Sequence, residues 1–245
     1  MKRVAVVGAS GGIGAALVDA LATRGDVEEL HATHHRSPLA GALASVSTFG
    51  GEVKLVRHAL DATDESAVAR FMEEIGEIDW LINCVGMLHD AEHGPEKSIG
   101  QFSTTHFERS MRINCLPTLL LGKYAQRALC NSERGVFATI SARVGSIADN
   151  RLGGWYSYRA SKAALNMSLK CLSIEWRRTA RNIRVVALHP GTTATSLSAP
   201  FQKNVPEGKL FPPEKTAGLL LARLDELQAG NSGRFIAWDG EELPW

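Results

Sequence analysis

Tyr158 and Lys162 stand four residues apart in Tyr158-Arg159-Ala160-Ser161-Lys162. On a helix that spacing puts a phenol and an ammonium on one face. A free phenol has a pKa of about 10 and is a poor acid–base at neutral pH. A neighbouring ammonium favours the phenolate and lowers that value. The pair therefore predicts proton transfer at a substrate oxygen. A Tyr–Lys pair is common by chance and gains meaning from what accompanies it. Here the company is Asn83 in Asn83-Cys84-Val85-Gly86, then Asn114, Ser141 and Pro190-Gly191. Far upstream lies a glycine-rich turn, Gly8-Ala9-Ser10-Gly11-Gly12-Ile13-Gly14. Glycines there permit a tight turn and let backbone N–H groups approach a pyrophosphate at a helix N-terminus.

Positioning these groups requires a scaffold, and short apolar runs alternate with helical patterns from end to end. Strands are predicted at 3–7, 29–34, 53–57, 78–83, 135–140, 183–188 and 234–237. Helices are predicted at 12–24, 64–75, 104–130, 157–180 and 213–228, with a weaker helical pattern between 38 and 48. Val4-Ala5-Val6-Val7, Trp80-Leu81-Ile82 and Ile183-Arg184-Val185-Val186 are nearly continuous apolar runs. Strands covered on both faces read this way. The alternation predicts an α/β fold: one Rossmann-type doubly wound parallel sheet of about seven strands, with helices on both faces. No repeat or Pro-rich linker divides residues 1–245, so a single domain is expected. The loop-rich stretches 84–103, 142–156 and 190–212 all follow strand C-termini, where open α/β sheets bind ligands.

Composition narrows the partners. Lys plus Arg number 27 and Asp plus Glu 26, a net charge of +1. That balance carries no footprint for nucleic acid or an anionic membrane. No apolar run is long enough to span a bilayer. The apolar stretch after Met1-Lys2-Arg3 ends at Val7, too short for a signal peptide. The four cysteines, at 84, 115, 130 and 171, form no CxxC pair. They read as thiols in a reducing cytoplasm.

The glycine spacing is G-x-x-x-G-x-G with an added Gly11. A dinucleotide fold that prefers NAD places a carboxylate at the end of its second strand. Glu28 and Glu29 fall at the wrong end of that strand, whose C-terminal end reads Thr33-His34-His35-Arg36. A guanidinium there suits a 2′-phosphate. The expected cofactor is NADP(H), with Arg36 on its 2′-phosphate.

Taken together, the glycine turn, Asn-x-x-Gly, helix Asn, Ser, Tyr-x-x-x-Lys and Pro-Gly resemble the short-chain dehydrogenase/reductase family over almost the full length. Ser146-Ile147-Ala148-Asp149-Asn150, Gly153-Gly154-Trp155-Tyr156-Ser157 and Trp238-Asp239-Gly240 narrow the resemblance to its C-factor-like and sniffer-like carbonyl reductase branch. That branch implies NADP dependence and hydride transfer. The resemblance implies that Tyr158 protonates the carbonyl oxygen and that Lys162 holds the nicotinamide ribose. It further implies that Ser141 hydrogen-bonds the substrate oxygen and that Asn114 binds a water feeding the relay. Two departures stand out. Relatives often carry Ser-Ser where this chain has Ser141-Ala142, and the Ser–Tyr spacing of 17 exceeds their usual spacing of about 13. Ser146 is the alternative donor; Ser141, at a strand end, is the better placed.

By the same resemblance the cofactor set comprises Gly8, Ser10, Gly11, Gly12, Ile13, Gly14, Arg36, Asp61, Ala62, Asn83, Cys84, Val85, Gly86, Tyr158, Lys162, Pro190, Gly191, Thr192 and Thr193. Asp61 reads both as a partner of the adenine amino group and as a turn residue before the next helix. Met87, Leu88, Leu152, Trp155 and Leu197 are candidate substrate walls. An apolar, aromatic-lined wall suits a small apolar carbonyl compound: a ketone, aldehyde or quinone.

His89 and His93 are four apart, but Gly94-Pro95 ends any helix that would align them, so no metal site is expected. Two other functions share these residues: a non-catalytic NADP-responsive signalling protein, and an epimerase or dehydratase acting on a nucleotide sugar. The intact Tyr–Lys pair argues against the first and the short chain against the second. Family resemblance implies a homodimer or homotetramer through 104–130 and 157–180, although the branch also contains monomers.

Overall fold

The computed structural model describes residues 1–35, 48–49 and 53–245. Its strands are β1 (Lys2–Val7), β2 (Val27–His34), β3 (Thr48–Phe49), β4 (Val53–Ala59), β5 (Trp80–Asn83), β6 (Gly135–Ile140), β7 (Ile183–His189), β8 (Thr192–Thr193), β9 (Leu210–Phe211) and β10 (Arg234–Ala237). Its helices are α1 (Gly12–Ala22), α2 (Glu65–Ile75), α3 (Thr104–Asn114), α4 (Leu116–Leu129), α5 (Tyr156–Thr179) and α6 (Pro213–Asp225). The main sheet runs β10-β7-β6-β5-β1-β2-β4-β3. The first seven are parallel, and the two-residue β3 is added antiparallel at the edge. This is the expected doubly wound sheet with helices on both sides.

Alternation along each strand feeds two cores. Val4 and Val6 point to one, with Leu17 and Leu21 of α1 and Leu220 and Leu224 of α6. Ala5 and Val7 point to the other, with Phe71 of α2, Leu121 of α4 and Leu165 of α5. Burial on both faces explains why β1 and β6 lack the polar alternation of a surface strand. In the second core the fully buried Trp176 meets Phe137 edge-on at 5.5 Å. Asp64 caps α2 by accepting Ala67 N–H at 2.9 Å.

The predicted helix 104–130 is two helices. Pro117, in the first turn of α4, has no N–H to give the preceding turn. Thr118 N–H goes to Cys115 O instead, at 3.1 Å. The break leaves Asn114 as the last residue of α3. The weak helical pattern at 38–48 lies largely outside the described residues, and Thr48–Phe49 is a strand.

Beyond β10 the chain folds back. Leu243 N–H donates to Phe235 O and Ala237 N–H to Glu241 O, both at 2.8 Å, and Ile236 bridges Glu242 antiparallel. No helix among the described residues is long and apolar enough to cross a membrane. All four cysteines are free.

The chain runs one way from β1 through β2 to β4, and the other way from β5 through β6 and β7 to β10. The C-terminal ends of β1 and β5 therefore flank a topological switch point, the place where such sheets take ligands.

Candidate active site

At the switch point the glycine turn is built on close contacts. Gly8 has φ +84°, a left-handed conformation that glycine adopts without penalty. Its N–H donates to Thr33 Oγ1 at 3.1 Å, and Ala9 N–H donates to Thr33 O at 2.8 Å. A Cβ at Gly14 would stand 2.3 Å from Gly8 O, and one at Gly12 would stand 2.4 Å from Thr195 Cγ2. The α1 N-terminus is thus pressed against the turn, with no acidic residue in its first helical turn to compete for its N–H groups.

Beside the turn opens a cavity of about 570 Å³, lined by Gly8, Ser10, Gly11, Asp61, Ala62, Cys84, Val85 and Gly86 among the expected cofactor residues. The size and the mixed lining suit a nucleoside half of a dinucleotide. Thr33, His35, Thr63, Arg109 and Arg112 also line it, and the sequence did not mark them. Asp61 serves the turn through Oδ1, which accepts Thr63 N–H at 2.9 Å and Thr63 O–H at 2.8 Å. Its Oδ2 lies 3.6 Å from His35 Nε2 on the cavity side. Burial works to raise the Asp61 carboxyl, but the two bonds from Thr63, joined by the nearby His35 and Arg112, hold the group below its ordinary value. Arg36 lies outside the described residues.

Asn83, Ile13, Gly12, Gly14, Pro190, Gly191, Thr192 and Thr193 do not line this cavity. Asn83 is wholly buried; its amide donates to Thr118 Oγ1 and its carbonyl accepts Val85 N–H, both at 3.1 Å. It shapes the turn after β5. Gly191 has φ +72°, and a Cβ there would lie 3.0 Å from Phe211 and Trp238. Thr193 shares a hydrogen bond with Thr216 at 2.9 Å and is buried.

The catalytic candidates converge on Gly86. A Cβ at Gly86 would stand 3.5 Å from both Asn114 Oδ1 and Lys162 Nζ. Asn114 is buried and clamps the backbone of Met87: its Oδ1 accepts Met87 N–H at 2.7 Å, and its Nδ2 donates to Met87 O at 2.8 Å and to Ser161 Oγ at 2.9 Å. Lys162 is buried and donates to Ile140 O at 3.0 Å. Burial brings its ammonium down to about 8. Tyr158 is 7% exposed, and its hydroxyl has no hydrogen-bond partner among the described residues. Burial pushes its phenol above the ordinary value, the opposite of the shift expected from the sequence. The reason is geometric: Lys162 Nζ is aimed at Ile140 O and stands 5.9 Å from the Tyr158 ring centre.

Neither candidate serine presents a free hydroxyl. Ser141 Oγ donates to Asn166 Oδ1 at 2.6 Å, both residues being buried. Ser146 Oγ donates to Trp245 O at 3.3 Å and accepts Asp149 N–H at 3.1 Å. The residue after Ser141 is Ala142, which offers no hydroxyl.

On the substrate side, Trp155 meets Tyr158 at 6.3 Å and Phe201 at 5.0 Å between ring centres. Phe201 packs on this expected wall residue, and its place in the Pro-rich loop 190–212 hid it. Leu197 is half-buried, Leu88 is buried, and Met87 is held by Asn114. Leu152 is 92% exposed and walls nothing. Trp155 has φ +52°, following Gly153 and Gly154 at +64° each. A left-handed tryptophan is strained and needs an external hold. Glu96 supplies it. Its backbone carbonyl accepts Trp155 N–H at 2.5 Å, and its carboxylate accepts the N–H and O–H of Ser157. Glu96 is only 3% exposed. A carboxylate here caps the N-terminus of α5, where Trp155 offers no side-chain cap, and it opposes the positive end of the helix dipole. The helix that carries Tyr158 and Lys162 is therefore anchored from the loop after β5. No local pattern announces a partner 61 residues away.

The chain resembles known proteins in sequence and in fold. Over its full length the chain is 31% identical to 1-hydroxy-2-glutathionyl-2-methyl-3-butene dehydrogenase of Rhodococcus sp. (strain AD45), covering 100% of both chains. It is 32% identical to C-signal of Myxococcus xanthus over 170 residues, 69% of this chain and 94% of that one. Among solved structures it superposes on an NADPH-bound carbonyl reductase from chicken fatty liver with a TM-score of 0.83 at 26% identity, covering 100% of this chain and 99% of that one. The sequence profile of short chain dehydrogenases matches residues 2–206, and the chain belongs to that family.

Proposed function

We propose that the protein is an NADPH-dependent carbonyl reductase acting on a small, apolar ketone, aldehyde or quinone. The observation that carries this reading is the pairing of an unengaged Tyr158 hydroxyl with Lys162 one helical turn on, near a crevice sized for the nucleoside half of a dinucleotide. The bound nicotinamide supplies the hydride. A buried phenol whose pKa is raised stays protonated at neutral pH, as a proton donor in reduction must. In this reading Tyr158 donates its proton to the carbonyl oxygen. Lys162 exchanges Ile140 O for the nicotinamide ribose, and Asn114 fixes the Met87 backbone at the crevice rim. Ser141 orients the substrate oxygen only by giving up Asn166.

The NADPH-bound relative supports the choice of cofactor, and His35 at the nucleoside end of the cavity, next to Arg36, fits a 2′-phosphate. Trp155, Phe201 and Leu197 support an apolar substrate. Leu119 of α4 and Met167 and Ile174 of α5 are exposed apolar residues, consistent with pairing of two copies through these helices. Free cysteines suit a cytoplasmic setting.

The C-signal relative favours one further reading, an NADP-responsive signalling protein. NADPH and NADH oxidation over a panel of ketones, aldehydes and quinones separates the two. NADPH-selective turnover that falls by about 10³-fold in Tyr158→Phe, with cofactor affinity unchanged, is the expected result. Cofactor binding without turnover across the panel selects the signalling reading.

A further inference from the structure

His89 and His93, four apart in the sequence, turn to different partners. His89 Nε2 lies against Ser196 O at 3.2 Å. His93 instead joins Asp90, on the same loop after β5, and His106, on α3. One ligating atom from each lies within 4.8 Å of the other two.

His106 is the unusual member. It is 2% exposed, and both ring nitrogens are sealed from solvent without a hydrogen-bond partner among the described residues. A neutral imidazole carries one donor and one acceptor, and a protonated one carries two donors. Either way a buried polar group is left unsatisfied, which is costly and uncommon. Asp90 shows where the missing partner belongs. Its Oδ1 accepts Glu92 N–H at 2.9 Å and His93 N–H at 2.8 Å, and its Oδ2 accepts Arg109 Nη1–H at 2.9 Å. One lone pair of Oδ2 remains on the side of His106 Nδ1, 3.8 Å away. That is too long for a hydrogen bond. His93 Nδ1 stands 3.4 Å from Asp90 Oδ1, with its ring at 20° to that of His106 and the ring centres 5.1 Å apart. Ligand bonds of about 2.0–2.2 Å around one tetrahedral ion put neighbouring ligand atoms roughly 3.3–3.5 Å apart, so three ligand atoms already within 4.8 Å of one another need only draw in slightly to share one ion.

We propose that Asp90, His93 and His106 form a site for a divalent cation of the zinc class. Two imidazoles and one carboxylate select Zn²⁺, Co²⁺ or Ni²⁺ over Mg²⁺ and Ca²⁺, which take oxygen ligands. Three protein ligands leave a coordination position for water. Arg109 is the competing cation on Asp90 and also lines the nucleoside cavity. The half-exposed Arg109 thus touches both the proposed metal site and the nucleoside cavity.

The test uses the full chain without a histidine tag. Zn²⁺ is titrated calorimetrically, and Co²⁺ is followed by the visible absorption of its four-coordinate complexes. One equivalent is expected to bind, with affinity falling at least about tenfold in His93→Gln and in His106→Gln. His93 is one-third exposed, so His93→Gln keeps the test valid if His106→Gln fails to fold. His89→Gln is expected to leave binding unchanged. Absence of saturable binding, or binding that survives His93→Gln and disappears in His35→Gln, overturns the site.

Discussion

The two halves of the crevice differ in how their polar groups are occupied. On the nucleoside side, the glycine turn and Asp61 are fixed by backbone contacts and surround open space. On the catalytic side, Lys162, Asn114, Ser141 and Ser146 are all committed to partners within the protein, and Tyr158 is the exception. The first half is a mould that a ligand fills. The second must exchange hydrogen bonds before its groups can act, and each exchange subtracts the energy of the bond given up. Binding and chemistry should therefore respond to different substitutions.

The largest effect is expected from spoiling the mould. Gly14→Ala forces a Cβ against Gly8 O, a backbone atom that cannot swing away. A loss of about 1–3 kcal/mol in stability is expected, along with a cofactor affinity lowered by about 100-fold, because the turn and the α1 N-terminus no longer fit together. Thermal unfolding and fluorescence titration with NADPH measure the two. A variant that binds normally would show that the turn adapts.

Acid should weaken the floor under that half. His31 of β2 and His58 of β4 are buried and share a hydrogen bond at 3.0 Å. Burial holds His31 at about 4, with the His58 charge acting the same way against Glu29. The folded pKa lies below the unfolded one of about 6.5, so the unfolded chain binds more protons between these values. Stability falls as pH falls through that window, by about 3 kcal/mol from this group on reaching pH 4. Urea midpoints at pH 7, 5.5 and 4 should decline more steeply in the wild type than in His31→Asn; parallel declines would assign the effect elsewhere.

Next comes the anchor of the catalytic side. Glu96→Ala removes the acceptor of the Ser157 N–H and O–H, at a cost of about 2 kcal/mol. Turnover should drop about tenfold while the KM for NADPH stays nearly fixed. Glu96→Gln, which keeps a carbonyl acceptor, should restore most of the turnover. An unchanged kcat in both variants would mean that α5 positions Tyr158 without help.

The smallest effect is expected at Ser141. If its hydroxyl stays with Asn166, Ser141→Ala costs about 1 kcal/mol of stability and less than about threefold in kcat. A drop of 100-fold would show that the bond is exchanged for the substrate oxygen during turnover.

The sheet and the nucleoside half were legible because their signals are local. Continuous apolar strands report burial on both faces, and glycines at fixed offsets report backbone approach. The break between α3 and α4 does not show in the helical spacing, although Pro117 marks it. The catalytic half depends on what each side chain touches, and those partners lie far away in sequence: Ser141 with Asn166, and Trp155 and Ser157 with Glu96. Residue type alone showed which groups are capable of chemistry, and the fold showed which of them are free to perform it.

The return of the chain over β10 bears on how copies of this protein meet. An exposed strand offers a run of unpaired N–H and C=O groups onto which another chain can add by strand pairing. Here residues 241–243 already occupy that run. On this flank a neighbour meets a short, irregular cover in place of the open edge of β10, which makes edge-to-edge strand addition there less favourable.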